Sequence, residues 1–94
     1  MSTPLSGQTS VTTAGTAVPL GSQLINAPLM VKALDANTGL VAVGGDGNND
    51  VTVSNGMELS AGEAIIFEYV GNLENLRLDS AVDGEGVAWL CLNV

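Results

Sequence analysis

Short apolar runs separated by turn-forming residues fill the chain from Pro28 onward, which is the pattern of an all-β domain. Alternation of apolar and polar positions predicts strands over residues 29–34, 40–43, 51–54, 57–59, 63–70, 76–79 and 87–94. The only helical element that the pattern allows is a single turn over residues 72–75. The chain is therefore expected to be built almost entirely from short strands.

Two loops predict how neighbouring strands pair. The segment ending in Gly39 predicts an antiparallel hairpin between residues 29–34 and 40–43, and Asn55-Gly56 predicts a second hairpin between residues 51–54 and 57–59. These elements predict a small antiparallel β-sandwich, jelly-roll-like, with about seven or eight strands. We assign this sandwich to residues 19–94 as one domain and residues 1–18 to an N-terminal arm or edge strand.

Two of the predicted strands are apolar on both faces. In residues 87–92 and 64–70, the side chains that point to either side of the strand are almost all hydrophobic. A two-layer sandwich has only one interior, so the second faces predict contact with another copy of the chain or with another protein, unless they belong to the ordinary apolar fraction of a monomer surface. The candidates for core or oligomer interface are Ile65, Phe67, Tyr69, Val87, Trp89 and Leu90.

The first 31 residues carry no charged side chain. Residues 1–7 are polar and turn-prone, which predicts that they lack fixed structure, whereas residues 8–18 have β-propensity without a strong alternating face. This second segment is either an ordinary edge strand or an arm that adds a strand to a neighbouring molecule. The candidate contact residues of the arm are Thr9, Val11, Thr13, Val18 and Leu20.

The side chains available for chemistry are few. The chain has no His, one Cys, one Lys and one Arg against ten carboxylates, with a formal charge of −8. Histidine-based acid/base catalysis and a His-activated nucleophile are therefore excluded, and nucleic acids and anionic membranes are unfavourable partners. Cys91 is expected to be a small buried hydrophobe, and the acidic residues Asp46, Asp50, Asp79, Asp83 and Glu85 are expected to face water.

One acidic loop resembles half of a calcium site. Asp46, Asn48 and Asp50 place oxygen ligands at alternate positions, but Val51 and Met57 stand where a calcium loop needs Gly and a bidentate carboxylate. We therefore expect a polar loop, no metal and no cofactor. Carboxylate pairs such as Glu63 with Glu68 lack aromatic platforms and a cavity, which predicts that the protein is not an enzyme.

Several short motifs together resemble a known family. The region from Asn37 to Val94 combines the motifs Asn37-Thr38-Gly39, Val41-Ala42-Val43-Gly44, Ser54-Asn55-Gly56, Ala61-Gly62-Glu63, Leu76-Arg77-Leu78-Asp79 and Gly84-Glu85-Gly86-Val87. In this combination of turns and alternating strands, the chain resembles the small β-sandwich head decoration, or cement, proteins of tailed bacteriophages. The resemblance covers more than half of the chain.

The resemblance implies a non-enzymatic virion protein on the exterior of the capsid, made in the host cytoplasm. It implies homo-oligomers, with trimers favoured, that bind the major capsid protein and stabilise the head by bridging its subunits. Two alternatives remain open at this stage: a tail or fibre-attachment β-module of a virion, and a calcium-dependent carbohydrate-binding module that uses the loop at Asp46.

Overall fold

A computed structural model describes residues 4–25, 28–44, 51–68 and 70–92. Within these ranges the chain forms β1 (Leu5–Ser10), β2 (Val18–Pro19), β3 (Leu29–Ala33), β4 (Val41–Gly44), β5 (Met57–Leu59), β6 (Ala64–Phe67), β7 (Arg77–Ser80) and β8 (Gly86–Cys91). A 3-10 turn, Leu73–Asn75, confirms the helical turn predicted there. The all-β sandwich predicted from the alternation is confirmed.

The eight strands form two antiparallel four-stranded sheets. The first sheet has the order β1-β8-β3-β6 and the second sheet has the order β2-β7-β4-β5. Consecutive strands lie in different sheets at every connection except the one from β4 to β5. The chain therefore alternates between the two sheets, and most strand pairs join residues that are far apart in the sequence.

The hairpin predicted between residues 29–34 and 40–43 is wrong. Strand β3 pairs with β6 and β8 in the first sheet, whereas β4 pairs with β5 and β7 in the second. The loop between them is anchored elsewhere: the Asn37 side-chain amide donates to the Gly86 carbonyl oxygen at 2.8 Å. This contact directs the chain across to the other sheet and prevents it from turning back beside β3.

The strand predicted over residues 51–54 is also wrong. The Asn55 side-chain oxygen accepts a hydrogen bond from the Thr52 N–H at 2.8 Å, and the Gly56 N–H donates to the Thr52 carbonyl oxygen at 3.0 Å. These bonds close a turn over residues 52–56, so β5 pairs directly with β4 through Val41↔Leu59. The local Asx hydrogen bond takes the place of the expected hairpin.

The core lies between the two sheets and is closed at its ends by the connecting segments. In β3, buried residues alternate with exposed ones along the strand. Full burial of a Val or Leu side chain contributes roughly 1.5–3 kcal/mol relative to exposure. The buried set comprises Leu29, Val31, Ala33, Val87 and Cys91 from the first sheet, Val41, Val43, Leu59 and Leu78 from the second, and Val11, Leu20, Ile25, Leu73 and Leu76 from the connections.

The N-terminal segment belongs to the domain. Strand β1 begins at Leu5, so the expectation that residues 1–7 lack fixed structure is wrong from that residue onward. Six residues of β1 pair with β8, and Val11, directly after the strand, is fully buried. Residues 5–10 thus form an edge strand of the first sheet.

The sole Trp of the chain depends on β1. Gly7 stands directly opposite Trp89 in the register, and a Cβ at Gly7 would lie 2.7 Å from the indole Cζ2. The indole Nε1 donates to the Thr9 hydroxyl oxygen at 3.3 Å, and that hydroxyl donates to the Leu20 carbonyl oxygen at 2.6 Å. Gly7 therefore leaves the space that the indole occupies.

We expect Gly7→Val to destabilise the domain by about 1–3 kcal/mol, because its side chain overlaps the indole ring of Trp89. The free energy of unfolding in urea measures the effect. The matched control is Ser6→Val, which adds the same side chain at an exposed position one residue away and should change that free energy by at most about 0.5 kcal/mol. Equal losses in the two variants would show that the indole does not require Gly7.

A candidate contact surface on the outer face of the first sheet

The outer face of the first sheet carries a continuous apolar surface. Met30 of β3 stands opposite Leu90 on β8 and Ile66 on β6, so these three side chains form a row across the strands. Their exposed fractions are 42%, 41% and 61%. We call this surface the open face and define it by the residues Pro28, Met30, Lys32, Ala64, Ile66, Ala88, Leu90 and Leu92.

The open face exists because three strands are apolar on both sides. Leu29 and Val31 point into the core while Met30, between them, points outward, and β6 and β8 repeat this arrangement. Exposed apolar patches of this continuity mark contact sites in soluble proteins. The open face is therefore the strongest candidate for a functional surface among the described residues.

The outer face of the second sheet is different because the chain covers it. Ala42 and Asp79, which point away from the core, are almost fully buried. Val51 is buried beside Ala42, since a Cβ built on the intervening Gly56 would contact both side chains. On the other side, the Gly15 N–H donates to the Asp79 carboxylate at 2.9 Å. Loops thus cover the centre of this outer face, at Ala42 and Asp79, whereas the centre of the open face keeps large apolar side chains in contact with solvent.

The open face is shallow. A hollow lined by Pro28, Met30, Ile66, Leu90 and Leu92 has a volume of about 160 Å³. Pockets that enclose small-molecule ligands measure roughly 300–1,000 Å³. This hollow accommodates protruding side chains of another surface and is too small to enclose a substrate.

The open face has one charged residue. Lys32 forms an ion pair with Asp35, with 3.4 Å between Nζ and the carboxylate oxygen. Both side chains are largely exposed, and a surface pair of this kind contributes little to stability. The rest of the open face is apolar, in a chain whose formal charge is −8.

The six residues predicted as core or interface separate into two groups. Val87 is buried, and Ile65, Phe67 and Trp89 are partly buried against the core. Leu90 lies on the open face, and Tyr69 lies outside the described residues. The sequence-based selection missed Met30, although its position between Leu29 and Val31 in an apolar run carried the same signal.

The five residues proposed for an arm are mostly internal. Val11 and Leu20 are core residues, Thr9 bonds Trp89 and the Leu20 carbonyl, and Val18 is partly buried in β2. Thr13 alone is exposed. In this structure the N-terminal segment leaves exposed the free edge of β1 and the turn that follows it.

Acidic side chains hold turns by accepting backbone hydrogen bonds. The Asp83 carboxylate accepts from the Ala14 N–H at 2.7 Å, and Asp79, which was expected to face water, is 1% exposed and accepts from Gly15. Glu63 accepts from the Ser60 N–H at 2.6 Å. These carboxylates each hold a turn by accepting a backbone hydrogen bond.

Glu85 makes the densest set of these bonds. Its carboxylate accepts from the Gly39 N–H at 2.9 Å, from the Thr38 N–H at 2.6 Å and from the Thr38 hydroxyl at 2.8 Å. The bond from Gly39, followed by the one from the Thr38 N–H, lowers the pKa of the Glu85 carboxyl, because both stabilise its charged form. Glu85 thereby fixes the loop that carries the chain from the first sheet to the second.

Within the described ranges, no group of three or more Cys, Asp or Glu side chains is arranged to hold a metal ion. The weak calcium candidates Asp46, Asn48 and Asp50 lie outside the described residues. No helix in the described part of the chain is long and apolar enough to cross a membrane. Cys91 is buried, as its sequence context predicts.

Comparison of the chain with protein-family models, with curated proteins and with solved structures found no match.

We expect Glu85→Gln to weaken the acid dependence of stability. The folded-state pKa of Glu85 lies below its ordinary value of 4.5, so its bonds add stability above about pH 4.5 and lose it as the pH falls through the folded-state pKa. Thermal midpoints measured from about pH 7 to about pH 2.5 should show a lower midpoint for the variant at neutral pH and a smaller fall in acid. Glu58→Gln, which removes an exposed carboxylate from β5, is the control. Identical pH profiles for the two variants would contradict the assignment.

Proposed function

We propose that the chain is a non-enzymatic structural protein of a phage virion, a decoration protein that binds the outer surface of the head and stabilises it by bridging capsid subunits. Two surfaces support this proposal: the free edge of β1, which is available for contact with a shell, and the apolar open face, which is available for a further partner. A protein of this kind acts by contact, and the acidic side chains serve to hold its loops.

A rigid scaffold supports the same proposal. The core joins both sheets, and backbone N–H groups that donate to the carboxylates of Asp79, Asp83 and Glu85 hold the loops at one end of the sandwich. A protein that reinforces a shell has to keep its shape under load, and a packed sandwich with anchored loops meets that demand.

The surface proposed for the shell contact is the free edge of β1. This strand lies at the edge of the first sheet and carries no charged side chain. The edge of a sheet can accept a strand from another protein by main-chain hydrogen bonds. The exposed Thr12 and Thr13 extend this uncharged surface beyond the end of the strand.

Ser10→Glu should reduce binding to empty capsid shells, because it adds a carboxylate at the end of the β1 edge. The measurement is cosedimentation of the purified protein with shells of the phage that encodes it. The control is Ser54→Glu, which has the same net charge but adds the carboxylate in the exposed loop before β5. If both variants cosediment equally with shells, the contact does not use this edge.

The number of copies per particle tests the location on the virion. Head decoration predicts saturable binding at many sites per shell, measured by quantitative mass spectrometry of purified virions. A tail or fibre module predicts few copies on intact particles and none on isolated shells. A protein that does not bind shells at all would refute the proposal.

A further inference from the structure

We propose that the open face is the site where a second copy of this chain binds, so that two molecules pack their first sheets face to face. The inference deepens the proposed function only by naming one partner of the protein. Its basis is the contrast between the two sheets: loops of the chain cover the second, while Met30, Ile66, Leu90 and Leu92 of the first remain exposed.

The charges at the two ends of the open face favour a second copy. Lys32 lies on one side of the Leu90–Met30–Ile66 row, opposite Ala64 and Ala88. Glu68, one residue beyond β6, is exposed on the other side of that row. The open face thus has an apolar centre with the Lys32 cation at one end, and the exposed Glu68 carboxylate borders its other end, so the face and its border are complementary to a second copy.

Symmetry then selects one arrangement. A two-fold axis along the row places Met30 against its own counterpart and brings Lys32 of each copy towards Glu68 of the other. An axis parallel to the strands would instead place the two Lys32 ammonium groups together. Because Asp35 pairs with Lys32 only at the surface, that pair does not prevent Lys32 from meeting a second carboxylate.

The size of the sheet sets the strength of the contact. The open face spans three strands about 4.8 Å apart with about five residues each, which gives a footprint of roughly 240 Å². Packing two such faces covers roughly 480 Å² in total, which is well below the roughly 1,200–2,000 Å² of tight complexes. We therefore expect a reversible dimer with a dissociation constant in roughly the micromolar to millimolar range.

Sedimentation equilibrium of the full chain, from about 1 µM to about 1 mM, tests the dimer. Met30→Asp should raise the dissociation constant about a hundredfold, because it places two carboxylates on the axis of an apolar contact. Met57→Asp is the matched control, since Met57 is also an exposed strand methionine, 58% accessible, but lies on the second sheet. Far-UV circular dichroism verifies that the variants are folded, and Ile66→Asp serves in place of Met30→Asp if the latter unfolds.

A charge swap tests the axis. Glu68→Lys should raise the dissociation constant about threefold to tenfold at low salt, because it places like charges together twice in each dimer. The double variant Lys32→Glu with Glu68→Lys should restore the original value, since the two charges exchange ends. If the double variant binds no better than Glu68→Lys alone, the proposed arrangement is wrong.

The remaining outcomes also decide the question. A monomer at every concentration, a trimer, or a dimer broken by Met57→Asp and preserved by Met30→Asp would each overturn the proposal. Shell binding is scored separately: a monomer that still decorates shells refutes the dimer but leaves the proposed function intact. A dimer that ignores shells refutes the function and leaves the dimer.

Discussion

Every other feature of this protein depends on the packing of two small sheets against a single shared interior. Because almost every connection crosses between the sheets, neither sheet can form without the other, and core residues such as Val31 and Val43 meet only when both are complete. A chain of this length fills that one interior with one face of each sheet. Any apolar residue on the opposite faces must then be covered by loops or left exposed. Loops cover Ala42 on the second sheet, and Met30 on the first sheet is left exposed.

Local pattern predicted the strands but not their partners. The alternation around Leu29, Leu78 and Val87 marked three of the strands to within one residue at their starts, because burial on one side of a strand has a period of two. The hairpins failed because Asn37 and Asn55 use their side chains to bind backbone groups, so the turns at these residues form but do not join paired strands. Pairing between distant strands leaves no trace in a local window.

The sequence predicted that a contact surface exists but did not identify most of the residues that form the open face. Strands with two apolar sides indicated a surface for contact, and the structure places Leu90 on the exposed side, but choosing the outer side requires knowing which residues the second sheet covers. The sequence predicted that the acidic residues face water, whereas Asp79 and Glu85 accept hydrogen bonds from the backbone amides of loops. The sequence around a carboxylate near a turn is the same whether that carboxylate faces water or accepts a bond from a backbone N–H. Only the fold distinguishes the two.

The position of the sole Trp has a practical consequence for the N-terminal strand. The indole of Trp89 lies against Gly7 and bonds Thr9, so its surroundings are set largely by an edge strand that is held on one side only. If β1 lifts from the sheet, whether by thermal fraying or on binding another molecule, water reaches the ring while the remaining strands stay in place. The fluorescence of Trp89 therefore reports whether β1 is attached to its sheet.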